Sequence, residues 1–262
     1  MRAVTTLAGK RILLAEDNAF NQELALDLLG EAGMRVTVAG DGRAALAALA
    51  RAEFDALLMD CQMPVMDGYA ATRAIRLLPR WQRLPIIAMT ASGTAEDRDR
   101  ALAAGMDDHT PKPIVVDALF AMLAKWIAGV DTCPPLAKET PTDPLAQLPG
   151  IDSAIARRTT MGNDKLFARL LAMFRHQQHD FLPRLQAAFD TGDHALAIRH
   201  ALDLRGMAGS LGMQAVQRLA GDIETACIAG ATARELDGLL VASRAELSRV
   251  IAGIDAMAPT WA

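Results

Sequence analysis

The stretch Leu57–Arg76, "LLMDCQMPVMDGYAATRAIR", contains a strand pattern followed directly by a helix pattern. Its first residues form an apolar run of strand length that ends at Asp60. Turn signals bound this run, and the following segment "DGYAATRAIRLL" has the apolar spacing of a helix. A strand followed by a helix is the repeating unit of α/β folds.

The same alternation extends over residues 11–128. The runs "RILLAED", "RVTVAG", "DALLMD" and "PIIAMTA" predict four strands, and the weaker segment "DDHTPK" predicts a fifth. Helical patterns separate them. Nearly continuous apolar strands that alternate with helices indicate a parallel sheet with helices on both faces. We therefore predict an α/β domain over residues 1–128.

The second half of the chain has no strand pattern. Residues 129–148 are rich in proline and predict an extended linker. Residues 149–262 contain four long segments with helical apolar spacing, at about 164–189, 194–211, 215–229 and 233–254. Short turn signals separate these segments. We predict an antiparallel four-helix bundle.

Composition excludes some classes of protein. The chain has 262 residues, of which 52% are hydrophobic, and this is enough for two cores. Its net charge of −4 gives no electrostatic argument for nucleic-acid binding. Three scattered cysteines without metal-ligand spacing indicate free thiols in a reducing compartment, and no signal peptide or membrane span is visible. We expect a cytoplasmic protein.

Polar side chains follow four of the predicted strands. Glu16 and Asp17 end the first, Asp60 the third and Thr90 the fourth, and Lys112 follows the fifth. The carboxyl ends of parallel strands share one edge, where ligands bind. Three carboxylates repel one another, and Mg²⁺ relieves that repulsion. A carboxylate aligned with phosphorus can form an aspartyl-phosphate, whose oxygens a hydroxyl and an amine could contact.

The motifs "ILLAEDNAFNQ", "LLMDCQMPVMDGYAATRAIR", "PIIAMTA" and "AGMDDHTPKPI" resemble a response-regulator receiver domain, especially the type fused to hybrid histidine kinases. The resemblance covers nearly all of residues 10–128. It implies a flavodoxin-like fold with a five-stranded parallel sheet in the order 2-1-3-4-5. It also implies that Asp60 is the phosphoacceptor and that Glu16, Asp17, Asp60 and the backbone carbonyl of Gln62 bind Mg²⁺.

The resemblance assigns three further residues. Thr90 and Lys112 are expected to contact the phosphoryl group, and the Lys112–Pro113 bond is expected to be cis. His109 stands where receivers often have an aromatic residue whose rotation, coupled to the threonine, reports the switch. The resemblance therefore implies a Thr90–His109 switch that is weaker than usual or sensitive to pH.

The segments "LPGIDSAIARRTTMGNDKLFARLLAMF" and "AFDTGDHALAIRHALDLRGMAGSLGMQAVQRLAGDIE" resemble a histidine phosphotransfer (HPt) domain over about residues 148–230. The family motif is His-x-Leu-Lys-Gly. Its last three positions match Leu204, Arg205 and Gly206, with arginine in place of lysine. The acceptor histidine of the family therefore falls on Leu202.

His200 lies only two residues from Leu202, but two residues turn a helix by about 200°. We predict that His200 belongs to the apolar stripe formed by Ala197, Ala201, Leu204, Met207, Ala208 and Leu211. The opposite face is a predicted docking face, which we define as Arg199, Leu202, Arg205, Gly206 and Gly209. His176, His179 and His194 fall near helix ends or on polar faces, where a solvated role is expected.

The two resemblances imply a phosphorelay protein, for which no stand-alone enzyme activity is expected. Asp60 would accept phosphate from a histidine kinase or an HPt protein, and the bundle would dock a receiver, within the chain or between chains, without carrying phosphate. One alternative is a working relay in which His200 replaces the missing histidine. Another is the tail of a hybrid histidine kinase, which would place the chain on the cytoplasmic side of a membrane-bound sensor.

Two other classes of protein fit less well. A phosphohydrolase that forms an aspartyl-phosphate usually has a second aspartate two residues after the nucleophile, where this chain has Gln62. A DNA-binding regulator would need a helix-turn-helix or winged-helix segment after the linker, and none is visible. The sequence also contains no kinase core and no P-loop.

Overall fold

The structure is a computed structural model that describes residues 7–91, 93–129 and 148–257. Contacts between residues divide the chain into two compact units, 1–138 and 139–262. Most of the predicted linker lies outside the described residues. The predicted domain limits, 1–128 and 149–262 with a linker at 129–148, therefore stay predictions.

The N-terminal unit contains a five-stranded sheet. The strands are β1 (Arg11–Ala15), β2 (Arg35–Ala39), β3 (Ala56–Asp60), β4 (Ile86–Thr90) and β5 (Asp108–Pro111). They lie in the order β2-β1-β3-β4-β5, and every neighbouring pair is parallel. The predicted flavodoxin-like fold and strand order are confirmed, including the weak fifth strand.

Five α-helices connect or follow these strands. They are α1 (Ala19–Glu31), α2 (Gly42–Arg51), α3 (Gly68–Arg76), α4 (Ala95–Ala103) and α5 (Val116–Ala128). The first four begin at capping side chains, those of Asn18, Asp41, Asp67 and Thr94, which accept hydrogen bonds from backbone N–H groups of the first turn. Each cap lies in a loop after the carboxyl end of a strand. The caps therefore fix the loops at the edge of the sheet where the polar residues converge.

The core lies on both faces of the sheet, and every residue of β3 and β4 is buried. At the opposite end of the sheet, Arg76 connects the loops that precede β4 and β5. Its guanidinium donates hydrogen bonds to the backbone carbonyls of Trp81, Leu84 and Gly105 and, at 2.7 Å, to the carboxylate of Asp107. The amino ends of β4 and β5 are thus held by one side chain.

The C-terminal unit is helical. Its helices are α6 (Ser153–Thr159), α7 (Asp164–Gln178), α8 (Phe181–Asp190), α9 (His194–Ser210), α10 (Gln214–Ile228) and α11 (Ala233–Met257). Helix α9 packs against α8 and α10, and α11 packs against α10, α7 and α8. If α7 and α8 are counted as one interrupted helix, then α7–α8, α9, α10 and α11 form the predicted four-helix bundle. Among the described residues, no helix is long and apolar enough to cross a membrane.

The prediction of a single continuous first helix in the bundle was wrong. The helix over about 164–189 is interrupted between Gln178 and Phe181. Pro183 explains the break, since a proline inside a helix lacks an N–H and its ring clashes with the carbonyl four residues earlier, that of His179. In the first turn of the new helix α8, the same proline is tolerated. The short helix α6 was not predicted.

Candidate functional site

The structure brings the predicted acidic residues together. Glu16, Asp17 and Asp60 each offer a carboxylate oxygen, and these oxygens lie within 4.8 Å of one another. The convergence follows from the sheet, since β1 and β3 are parallel neighbours whose carboxyl ends meet at the same edge. Glu16 and Asp60 are buried, at 1% and 6% exposure, so their charges interact with little screening by solvent.

Lys112 connects two of these carboxylates. Its Nζ donates hydrogen bonds to Glu16 Oε2 at 2.6 Å and to Asp60 Oδ2 at 2.7 Å. The Lys112–Pro113 bond is cis, as predicted. The other oxygen of Asp60, Oδ1, accepts the backbone N–H of Gln62 at 3.0 Å. The structure thus places the Gln62 backbone beside Asp60, while the role of its carbonyl as a metal ligand stays a prediction.

Burial and charge shift two pKa values at this edge. Burial raises the pKa of Glu16, the charge of Lys112 opposes this, and Asp60 adds to it, so that the pKa is about 7. Burial lowers the pKa of Lys112, but the charges of Asp60 and Glu16 outweigh burial and raise it above its ordinary value. Lys112 is therefore a cation at neutral pH, whereas the pKa of Glu16 is raised toward neutrality.

Two asparagines that the sequence reasoning missed orient Glu16. The backbone N–H of Asn18 and the side-chain amide of Asn21 both donate to Glu16 Oε1 at 3.1 Å. Asn18 also caps α1, so the start of this helix and the position of the carboxylate depend on the same residue. The segment "EDNAFNQ" contained the signal, since asparagine is a preferred cap before a helix.

The predicted switch residues lie on neighbouring strands. Thr90 ends β4, and His109 pairs with Ala88, two residues before Thr90. Because side chains alternate along a strand, Thr90 and His109 point to the same face of the sheet. Within the described residues, the buried Thr90 hydroxyl and His109 Nδ1 have no hydrogen-bond partner. The arrangement leaves both groups available for a new hydrogen bond, but their role as a switch stays a prediction.

The predicted docking face of the bundle is only partly accessible. Arg199, Leu202, Arg205 and Gly206 are partly exposed, and a methyl group added at Gly206 would meet nothing within 4 Å. Gly209, however, is buried, so its predicted place on an open face was wrong. The reason is that the end of α9 turns directly into α10, and these two helices pack against each other.

Arg205 was predicted to offer its positive charge to a partner protein, but its guanidinium contacts a carboxylate of the same domain. Its Nη1 lies 2.7 Å from Glu224 Oε2 on α10, and the two side chains are 23% and 11% exposed. The guanidinium is therefore engaged by a carboxylate of its own domain. The sequence reasoning did not find Glu224.

His200 lies at the edge of the bundle core rather than inside it. The six residues of the predicted apolar stripe are all buried, whereas His200 is half-buried. Burial, helped by the positive charges of Arg184 and Arg199, lowers the pKa of His200. The predicted place of His200 on the apolar stripe is thus true only in part, since it lies beside the stripe and is less buried than the six residues that form it. His176, His179 and His194 are exposed, as expected.

Comparison with protein families identifies both units. Residues 12–124 match the response regulator receiver domain, and residues 169–257 match the Hpt domain. The chain contains a receiver domain followed by an HPt domain. These two domains belong to two-component phosphorelay signalling.

The relatives whose matches span most of this chain are sensor proteins and histidine kinases. The chain is 34% identical over 204 residues to the sensor histidine kinase GacS of Pseudomonas protegens, which covers 75% of this chain and 22% of that protein. It is 30% identical over 223 residues to the aerobic respiration control sensor protein ArcB of Escherichia coli, covering 84% of this chain and 28% of ArcB. It is 29% identical over 247 residues to the signal transduction histidine-protein kinase BarA of Escherichia coli, and this match covers 91% of this chain and 26% of BarA. The chain thus spans about a quarter of the length of these relatives.

Solved structures resemble the receiver domain. A receiver domain of a sensor histidine kinase from Pseudomonas aeruginosa, crystallised with a magnesium ion in its active-site cleft, is 45% identical, with a TM-score of 0.44; the match covers 46% of this chain and 99% of that one. A putative response regulator from Chloroflexus aurantiacus is 28% identical, with a TM-score of 0.45, and covers 46% and 98%.

Proposed function

We propose that the receiver domain accepts a phosphoryl group on Asp60 from a phosphohistidine of a histidine kinase or an HPt protein, in a reaction that requires Mg²⁺. The observation that carries this proposal is the position of Lys112, whose ammonium contacts Asp60 and Glu16 beside Asp17. A nucleophilic carboxylate, further acidic oxygens and a fixed cation are the groups that phosphoryl transfer to aspartate requires.

The donor set fits Mg²⁺. Three carboxylates within 4.8 Å supply the hard oxygen ligands that this ion prefers. We assign Glu16, Asp17, Asp60 and the backbone carbonyl of Gln62 as the groups that would hold it. When bound, Mg²⁺ supplies positive charge beside the phosphoryl oxygens.

The residues of the chain have separate tasks in the reaction. An Asp60 oxygen attacks phosphorus, the phosphorus–nitrogen bond of the donor breaks, and the donor histidine leaves with the electron pair. Lys112 neutralises negative charge at the phosphoryl group, and the Thr90 hydroxyl donates a hydrogen bond to one of its oxygens. Gln62 orients the attacking carboxylate through its backbone N–H. Catalysis is therefore positioning and charge neutralisation.

We further propose that the HPt domain is a docking module that carries no phosphate. Leu202 stands at the position of the acceptor histidine, and an alkyl side chain cannot form a bond to phosphorus. The partly exposed Leu202 and the open space at Gly206 leave a surface that another receiver, or that of the same chain, could contact. Because the matched relatives are longer sensor kinases, we propose that the chain acts as the tail of a hybrid histidine kinase. A cytoplasmic location stays a prediction.

Labelling with ³²P-acetyl phosphate tests two of these proposals: that Asp60 accepts the phosphoryl group, and that the HPt domain carries none. We expect Mg²⁺-dependent label that base removes, as for an acyl phosphate, and no label in an Asp60→Asn variant. Asp99→Asn, which changes an exposed carboxylate on α4, is the matched control and should label normally. Base-stable, acid-labile label that disappears in His200→Gln would instead support a relay through His200.

A further inference from the structure

One ion pair in the HPt domain lies beside the position of the missing acceptor. Arg205 follows Leu202 by three residues on α9, so the two side chains are neighbours on the helix surface. A methyl group at Gly221 on α10 would meet Arg205 Cδ at 3.5 Å, which places the arginine stem over α10. The guanidinium then reaches Glu224, three residues further along α10, at 2.7 Å.

The environment of Glu224 makes this contact hard to release. Its side chain is only 11% exposed, so the carboxylate has lost most of its hydration. A carboxylate in that state needs a cation or several hydrogen bonds to remain ionised. If Arg205 moved to an external phosphoryl group, the negative charge of Glu224 would remain in a largely buried place.

We propose that Glu224 is a positioning residue that holds Arg205 within the domain, so that the docking face presents neither a nucleophile nor a mobile cation to a phosphoryl group. This inference rests on the proposed function, in which Leu202 occupies the acceptor position. Two residues then prevent this surface from accepting phosphate: Leu202, which lacks a nucleophile, and Glu224, which holds the cation. Restoring a histidine alone leaves the site without its cation.

The test compares two variants of the full chain, Leu202→His and Leu202→His/Glu224→Gln, after Asp60 has been labelled with ³²P-acetyl phosphate. In the transfer step, a ring nitrogen of the introduced histidine attacks phosphorus with its lone pair. The phosphorus–oxygen bond to Asp60 breaks and leaves its electrons on the carboxylate, while the proton on the other ring nitrogen can pass to water. The measured quantity is the rate at which base-stable, acid-labile label forms.

We expect the double variant to form this label at least about tenfold faster than Leu202→His, the effect of one added charge-assisted hydrogen bond. Leu202→His/Asp222→Asn is the matched control, because Asp222 is an exposed carboxylate on the same helix. It should behave as Leu202→His does. Adding Arg205→Ala to the double variant should remove the gain, a result that a merely structural role of Glu224 would not produce.

Three results would overturn the proposal: equal rates in the single and double variants, a gain that survives Arg205→Ala, or no base-stable label in either variant. Circular dichroism and thermal unfolding establish that the variants are folded before rates are compared. Base-stable label on the unchanged chain is a separate outcome. It would show a working acceptor histidine already present and would overturn the proposed function together with this inference.

Discussion

In the receiver domain, Lys112 lies among three carboxylates, those of Glu16, Asp17 and Asp60, at the site called here the receiver edge. In the HPt domain, Arg205 pairs with a single carboxylate, that of Glu224. The two sites therefore differ in net charge. At the receiver edge, three carboxylates and one ammonium sum to minus two when all are ionised. On the HPt domain, Arg205 and Glu224 sum to zero. An edge with excess negative charge favours a divalent cation, whereas a balanced pair has no such need. Under the proposed function, this difference in charge balance accompanies the difference between a phosphoacceptor site and a docking surface.

The largest effect should come from removing the cation of the receiver edge. Lys112→Met should lower the rate of Asp60 phosphorylation by at least about 10²-fold, because charge on the phosphoryl group loses a preorganised partner. Lys125→Met, which changes a half-exposed lysine on α5, is the control and should keep the rate within about twofold. Equal rates for the two variants, measured with labelled acetyl phosphate, would contradict the role given to Lys112.

Removing the cation of the HPt domain should affect stability instead of chemistry. Arg205→Ala should lower the free energy of unfolding of this domain by about 1–3 kcal/mol, since Glu224 keeps a largely buried charge. Arg205→Ala/Glu224→Gln should recover part of the loss. Differential scanning calorimetry of the full chain measures the shift, with the exposed Arg218 as the control site. A double variant that is less stable than Arg205→Ala would refute the explanation.

The affinity of the receiver edge for Mg²⁺ should depend on pH. The metal binds the ionised carboxylate, and the pKa of Glu16 is about 7, so protons compete with Mg²⁺ below that pH. We expect the affinity to fall by up to about tenfold per pH unit from pH 7 towards pH 5, and to change little above pH 8. Calorimetric titration at several pH values measures this. Glu16→Gln should bind more weakly at pH 8 but lose most of the slope.

The smallest effect is expected at Gly206 of the HPt domain, and Gly68 of the receiver provides the contrast. Gly206→Ala should stabilise the HPt domain by up to about 1 kcal/mol, because alanine favours a helix and its methyl group meets nothing within 4 Å. Gly68→Ala in the receiver should be destabilising, because its methyl group would overlap the carbonyl oxygen of Asp60. Thermal unfolding of both variants checks the contrast. A loss of stability at Gly206 would mean that this surface is not open.

The receiver site was predictable from sequence because its parts follow from local rules. Glu16, Asp60 and Lys112 each end a strand or directly follow one, and the parallel sheet brings those strand ends together. Their meeting could therefore be predicted without any knowledge of side-chain packing. The break before α8 also had a local cause in Pro183, although the apolar spacing continued across it. A fuller use of the proline rule would have found it.

The HPt surface was less predictable because it depends on contacts between helices. Helical spacing placed Gly209 on the same face as Leu202, but packing against α10 buries it. The Arg205–Glu224 pair joins two helices through long side chains, and no pattern within either helix specifies such a contact. One sequence signal existed, since Glu224 follows the buried Ile223 and Ala220 on a face that is otherwise apolar.

The hydrogen bonds of Arg76 have a mechanical consequence for the receiver domain. One guanidinium fastens the loops that lead into β4 and β5, at the far end of the sheet from Asp60. Thr90 lies at the other end of β4, whereas His109, which pairs with Ala88, lies near the held end of β5. Because the amino ends of β4 and β5 are held by these hydrogen bonds, their carboxyl ends are freer to move. We therefore expect displacements caused by chemistry at Asp60 to grow toward the carboxyl ends of β4 and β5 and into the loops that follow them.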